Sequence, residues 1–325
     1  METSVKKDSV FKKIMNNPSF KSYSGIILVI IFVSIFMSFR SPNFMTTNNI
    51  MNILRQIAVY GILACGMAFA MMTGGIDLTV GSTAGVAGAI TTKFIVSETM
   101  GMFPAILVSL AIGAAIGLIV GFTIAKTGIP PFIMTLGMQI TLRGVCYLIT
   151  DGKPIGNLPK SFQFIGLGDV GSIPVPIFFL VGSFLIVGFI LSRTSFGRSV
   201  YATGGNKQAA HHSGINVDRI ITFSYMISGI CAALAGIVLA SRNASAQPTA
   251  GVSFETEAIA ACAMGGVSFN GGKGAVPGIF FGALLMGIIN NSMNLMYIDS
   301  FWQQVVKGLI IIGSVLYSIY SEKKN

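Results

Sequence analysis

The sequence predicts an all-α bundle of about ten membrane-spanning helices, and three observations support that class. Of 325 residues, 53% are hydrophobic and only 10% are charged, against about 25% charged in a typical soluble domain. Apolar runs close to the roughly 20 residues needed to cross a bilayer recur along the whole chain. The charges, formally +10 in sum, flank those runs. They form no stripe on a folded domain, which argues against nucleic-acid binding and for membrane lipids as the surrounding medium.

The elements follow in order. A basic segment, residues 1–22 with Lys6, Lys7, Lys12, Lys13 and Lys21, precedes the first apolar run, 23–39. That run ends in Arg40, Ser41 and Pro42 and lacks a small-residue cleavage site, so it is an uncleaved span. Further spans fall at 53–73, 78–97, 103–125, 130–150, 174–192, 220–240, 254–269, 275–297 and 302–320. Residues 23–320 thus form one transmembrane domain, followed by a short tail, 321–325, with Lys323 and Lys324. An excess of Lys and Arg marks cytoplasmic segments, so both termini, Lys126 and the island 193–219 are expected inside, and 151–173 outside. The run at 254–269 starts with Glu255 and Glu257 and is short, which suits a re-entrant or broken helix. A cut near residue 160 leaves five spans on each side. An odd number inverts the second half relative to the first, as in transporters built from inverted repeats. Glycines spaced three to five residues apart, such as Gly81, Gly85 and Gly88, Gly113, Gly117 and Gly121, and Gly278, Gly282 and Gly287, let helices approach closely. Cys65, Cys146, Cys231 and Cys262 form no C-x-x-C pair and read as small buried hydrophobes.

Three stretches stand out as functional candidates. The first, TGGIDLTVGS at 73–82, breaks a helix at Thr73, Gly74 and Gly75. Its Asp77 either caps the next helix or acts at a gate beside the transport path, close to a span end. The second is ACAMGGVSFNGGKGAVPG at 261–278. It departs from the phosphate-loop pattern because Val267 stands where a glycine is required and Gly274 follows Lys273. It therefore supplies no ATP site and reads as a tight turn at Gly271 and Gly272, a second helix break. The third is the polar island Arg193 to Arg219. Gly204 and Gly205 make a turn there, Asn206 to Ser213 is helix-compatible, Gly214 is a stop, and Asp218 caps the following span. A loop of that length is more often functional than a plain connection. His211 and His212 have no other potential ligand nearby and are surface residues.

The motifs GGIDLTVGS (74–82), PPFIMTLGMQITLRG (130–144), FGRSVYATGGNKQAAHHSGINVDRI (196–220), SAQPTAGVSFETEAIAACAMGGVSFNGGKG (245–274) and NNSMNLMYIDSFWQQVVKG (290–308) resemble, in order, the permease subunits of ribose-type monosaccharide ABC importers. The wider family also serves xylose, arabinose, allose, galactosides and a furanosyl signalling molecule. The resemblance implies a plasma-membrane permease without a cofactor of its own. A separate ATP-binding subunit that binds ATP and Mg would drive it, an extracytoplasmic sugar-binding protein would feed it, and a second permease copy would complete a homodimer. It also implies a coupling helix in the island, with Gly204, Gly205, Asn206, Ala209, Ala210, Gly214 and Ile215 in that role. The pair His211 and His212 departs from the family, where an arginine and a leucine are expected.

The sugar path is expected near the outer end of the last two spans, at Asn290, Asn291, Asn294, Trp302, Gln303 and Gln304. Hydrogen-bonding groups gather with an aromatic there; inter-helix bonding and an interfacial aromatic belt explain the same residues. The competing class is a self-contained secondary transporter or channel. Ion coupling needs ionisable groups inside the membrane, and the sequence offers only Asp77, Lys93 and Glu257, each near a span end. A polytopic enzyme has no clustered catalytic set to stand on.

Overall fold

The computed structural model describes residues 18–324; the basic residues Lys6, Lys7, Lys12 and Lys13 lie outside them. The long helices are α1 (Pro18–Arg40), α2 (Thr47–Met72), α3 (Val80–Val96), α4 (Met102–Thr127) and α5 (Pro131–Thr150). A small extramembrane unit follows, α6 (Lys160–Leu167) with the two-residue strands β1 (Asp169–Val170) and β2 (Ile173–Pro174), paired antiparallel with Asp169 opposite Pro174. Then come α7 (Val175–Arg193), α8 (Ser195–Gly205), α9 (Lys207–His212), α10 (Val217–Arg242), α11 (Phe254–Met264), α12 (Val276–Leu295) and α13 (Ser300–Lys324). Seven of these are long and apolar enough to cross a membrane, and Val80–Val96 and Ser300–Leu316 are shorter apolar helices. The chain is an all-α membrane bundle.

α2 is its axis. Every residue from Ile57 to Met72 is buried, and α7, α10, α11 and α12 pack around it. A helix apolar on all sides is kept from water either by lipid or by other helices, and here it is by other helices. The peripheral helices turn apolar side chains outward, among them Phe32, Leu148, Leu185 and Trp302, as lipid-facing surfaces do. The predicted glycine stripes lie at seams. A Cβ at Gly117 or Gly121 would meet the backbone of α10 at Tyr225 or Thr222, and one at Gly282 would overlap Ala261 O of α11. The four cysteines are buried and free.

Several boundaries differ from expectation for local reasons. α2 starts at Thr47, ahead of the apolar run, because Thr46 caps it by accepting from Asn49 N. Gly204 and Gly205 do not form a turn. They are the last residues of α8, and the direction changes at Asn206. Asn216, not Asp218, caps α10, accepting from Arg219 N at 3.1 Å. Asp218 lies two residues further on, in the first turn, and pairs with Lys126 at 2.9 Å.

The run at 254–269 is a half-length helix. From the end of α10 the chain pairs with residue 155, through Ile155 N to Ala246 O and Ala246 N to Ile155 O, both 2.9 Å. It then returns along α5, past Arg143 to Gln139, before α11 begins. Residues 243–253 are therefore re-entrant. The stretch 73–79 does the converse from the other end, rising past Thr135 to Ser228 before α3 begins. Each non-helical stretch leads into a shorter helix, α3 of 17 residues and α11 of 11.

Candidate functional site

At one end of the bundle the three glycine-bearing stretches meet. Thr194 opens the island by capping α8, its Oγ1 accepting from Gly197 N at 3.1 Å. Asn206 is extended (φ −160°, ψ 107°), and its Oδ1 accepts from Ala209 N at 2.9 Å, which starts α9. Gly214 is left-handed (φ 82°), a conformation glycine adopts without steric cost. Ile215 N then closes the turn on Ala210 O at 3.1 Å. Ala210 is buried against the bundle, while Lys207, Gln208, Ala209, His211 and His212 face outward. The island is thus a short surface helix between two fixed joints.

Beneath it, α8 presses on the end of α2. A Cβ at Gly204 would overlap Met72 O and Gly272 N, and Gly272 N itself donates to Met72 O at 2.9 Å. Gly271 lies against Gly204 O and Gly74 N, and Tyr201 Oη donates to Gly274 O at 2.9 Å. The end of α8 thus touches both helix breaks at once. By contrast, a Cβ at Gly205 would meet nothing within 4 Å.

Asp77 is 1% exposed and lies deep, not near an end: its partner Ser228 is close to the middle of α10. Asp77 Oδ1 accepts from Thr79 N (3.0 Å) and Thr79 Oγ1 (2.5 Å), and Oδ2 accepts from Ser228 Oγ (2.6 Å). The carboxylate caps the start of α3 and ties it to α10. Thr73, also buried, closes α2 by donating to Phe69 O and Ala70 O.

Of the residues expected along the sugar path, Asn294 and Gln303 meet, while Asn290 and Asn291 bond to other partners and Trp302 and Gln304 face outward. Asn291 and Asn49 exchange hydrogen bonds at 2.7 and 3.0 Å and lock α12 to α2. Asn290 Nδ2 donates to Glu257 Oε2 at 3.0 Å, and Lys307 Nζ pairs with Glu257 Oε1 at 2.5 Å. Asn294 Oδ1 accepts from Gln303 Nε2 at the rim (2.9 Å), while Trp302 and Gln304 face outward.

The charged interior is larger than the sequence suggested. Glu255, Arg143 and Lys307 join Asp77 and Glu257, whereas Lys93 is exposed and donates to Ile149 O; Gln139 donates to Glu255 Oε1 at 2.9 Å and Arg143 to Pro248 O and Ala250 O. The polar positions 135, 139 and 143 recur at helical spacing, which was a legible signal; their partners were not. Among the described residues no group of three or more His, Cys, Asp or Glu could hold a metal.

Residues 49–315 match the family described as branched-chain amino acid transport system / permease component. The chain is 43% identical over 304 residues to a ribose import permease protein of Haemophilus influenzae, covering 92% of this chain and 93% of that one. It is 44% identical to a ribose import permease protein of Bacillus subtilis, covering 90% of each. Identity to a D-allose transport system permease protein of Escherichia coli is 38%, over 96% of each. No solved structure matches. A family match across most of the chain, together with full-length relatives sharing about two residues in five, shows that this chain belongs to the branched-chain amino acid transport system / permease component family.

Proposed function

We propose that this chain is the plasma-membrane permease subunit of an ATP-binding cassette importer that carries ribose or a related monosaccharide. The carrying observation is its 43–44% identity, over nine-tenths of its length, to proteins named ribose import permeases. On this reading residues 23–320 are one transmembrane domain. The separate ATPase binds ATP and Mg, an extracytoplasmic protein delivers the sugar, and a second copy completes a homodimer. The island end is the cytoplasmic end. Counting 73–79 with α3 and 243–253 with α11 as one crossing each, the chain crosses ten times and returns both termini to that side. Gly205, Asn206, Ala209, Gly214 and Ile215 present the coupling helix to the ATPase. Gly204 and Ala210 seat it on the bundle, and Gly74, Gly75, Gly271 and Gly272 receive its movement.

The test is sugar uptake by proteoliposomes holding this chain, its ATPase and the binding protein. Labelled ribose should accumulate only with ATP and both partners present, and ionophores should not matter. Accumulation by this chain alone under a proton or sodium gradient would overturn the reading in favour of a secondary transporter. ATP-driven uptake of leucine instead of ribose would favour an amino-acid permease, as the family description suggests.

A further inference from the structure

One face of α5 holds both interrupted helices. Thr135, Gln139 and Arg143 are four residues apart and so share that face. Thr135 Oγ1 donates to Ile76 O in the first break at 3.1 Å. Gln139 Nε2 donates to Glu255 Oε1 in the first turn of α11 at 2.9 Å. Arg143 Nη1 donates to Pro248 O at 3.2 Å and Ala250 O at 2.6 Å in the second break.

At this level the first turn of α3, which follows the first break, crosses the second break. A Cβ on Gly81 would overlap Gly251 O, and one on Gly251 would overlap Gly81 O. Gln139 and Ser228, which border the crossing, lie near the middles of α5 and α10. The first turns of α3 and α11 therefore converge halfway through the bundle, an arrangement in which half-helix ends face a transported solute. A second observation points to a ligand. Glu255 is only 8% exposed, yet its Oε2 has no hydrogen-bond partner among the described residues and lies directly over Gly81. Buried carboxylate oxygens are rarely left so. Gln139 and Arg143 are half-buried, so the cluster borders a flank of the bundle.

We propose that Glu255, with Gln139 and Arg143, grips a neutral polyhydroxylated solute where the first turn of α3 crosses the second break. A hydroxyl both donates and accepts, so one solute hydroxyl satisfies Oε2 while its neighbour accepts from the Gln139 amide or the Arg143 guanidinium. An anionic solute would meet the carboxylate unfavourably. Opening the Gly81 and Gly251 crossing admits the solute past this set.

The inference rests on the sugar-importer reading, and the test separates the two. Gln139→Cys, which keeps Glu255 and Arg143, is placed in the complete importer in proteoliposomes, where the four native cysteines are buried and the unmodified chain gives the background. A small charged methanethiosulfonate reagent is added during ATP turnover. The cysteine should be labelled, and saturating ribose should slow labelling several-fold. Leu148→Cys on the outer face of α5 should show no sugar protection. Glu255→Gln should cut ribose uptake at least tenfold at unchanged chain level and melting temperature. If Gln139→Cys fails to assemble, uptake by Glu255→Gln decides. Normal uptake by Glu255→Gln, or labelling without ribose protection, overturns the proposal and leaves Glu255 as a pin for α11. If the unmodified importer shows no ATP-driven ribose uptake, the reading of function fails instead.

Discussion

At the scale of single residues, Asp77 and Gly204 are set by what surrounds them. Asp77 accepts three hydrogen bonds in a site closed to solvent. Asp77→Ala should destabilise the chain by about 2–4 kcal/mol, because Thr79 N and two hydroxyls lose their acceptor. Asp77→Asn keeps one acceptor oxygen, and Ser228 can turn to accept from the amide, so its cost should be smaller. Thermal unfolding in detergent ranks the two; equal costs would mean that charge, not acceptor count, holds the break. For the neighbouring glycines, Gly204→Ala inserts a methyl onto Met72 O and Gly272 N and should cost about 1–3 kcal/mol. Gly205→Ala enters open space at a helical φ and should be neutral or slightly stabilising. The sequence showed two adjacent glycines. Only the fold distinguishes the one that packs from the one that is free, since that depends on a carbonyl from another helix.

At the scale of elements, the bundle is joined by small-residue seams and by a few buried polar pairs, as expected where lipid offers no hydrophobic drive between helices. The reciprocal Asn49 and Asn291 pair joins α2 to α12. Asn291→Ala or Asn49→Ala should each cost about 1–3 kcal/mol by stranding a buried amide. The double variant should cost clearly less than the sum, a coupling that a double-mutant cycle in detergent would measure. Additive costs would show the pair to be energetically independent. The helices themselves were legible, because hydropathy and local signals such as the Gly214 stop act over neighbouring residues, although the cap Thr46, which sets the start of α2, went unread. The pairings were not, since Asn49 and Asn291 stand 242 positions apart and nothing nearby marks either as the other's partner. The same holds for Gln139 with Glu255.

At the scale of the whole molecule, the island, the α2 break and the 265–275 turn form one mechanical unit at one end. A small α6 and β1–β2 unit closes the other, where Arg55 Nη2 meets both carboxylate oxygens of Asp169 at 2.7 and 2.9 Å. If the island is the ATPase dock, Gly205→Trp should leave chain level and melting unchanged, because the position is exposed and a Cβ there meets nothing within 4 Å. It should nevertheless weaken co-purification of the ATPase about tenfold or more. Unaltered co-purification would remove the island from that contact. The sequence by itself determined that the chain lives in a membrane, where its apolar segments run, and that the island folds as a short helix with a glycine stop. Hydropathy and capping are properties of neighbouring residues. Only the tertiary structure decided that 243–253 turns back into the bundle, that it crosses the first turn of α3 at Gly251 and Gly81, and that Gly204, Met72 and Gly272 share one contact. Those facts depend on close approach between backbones distant in sequence, which no local pattern records.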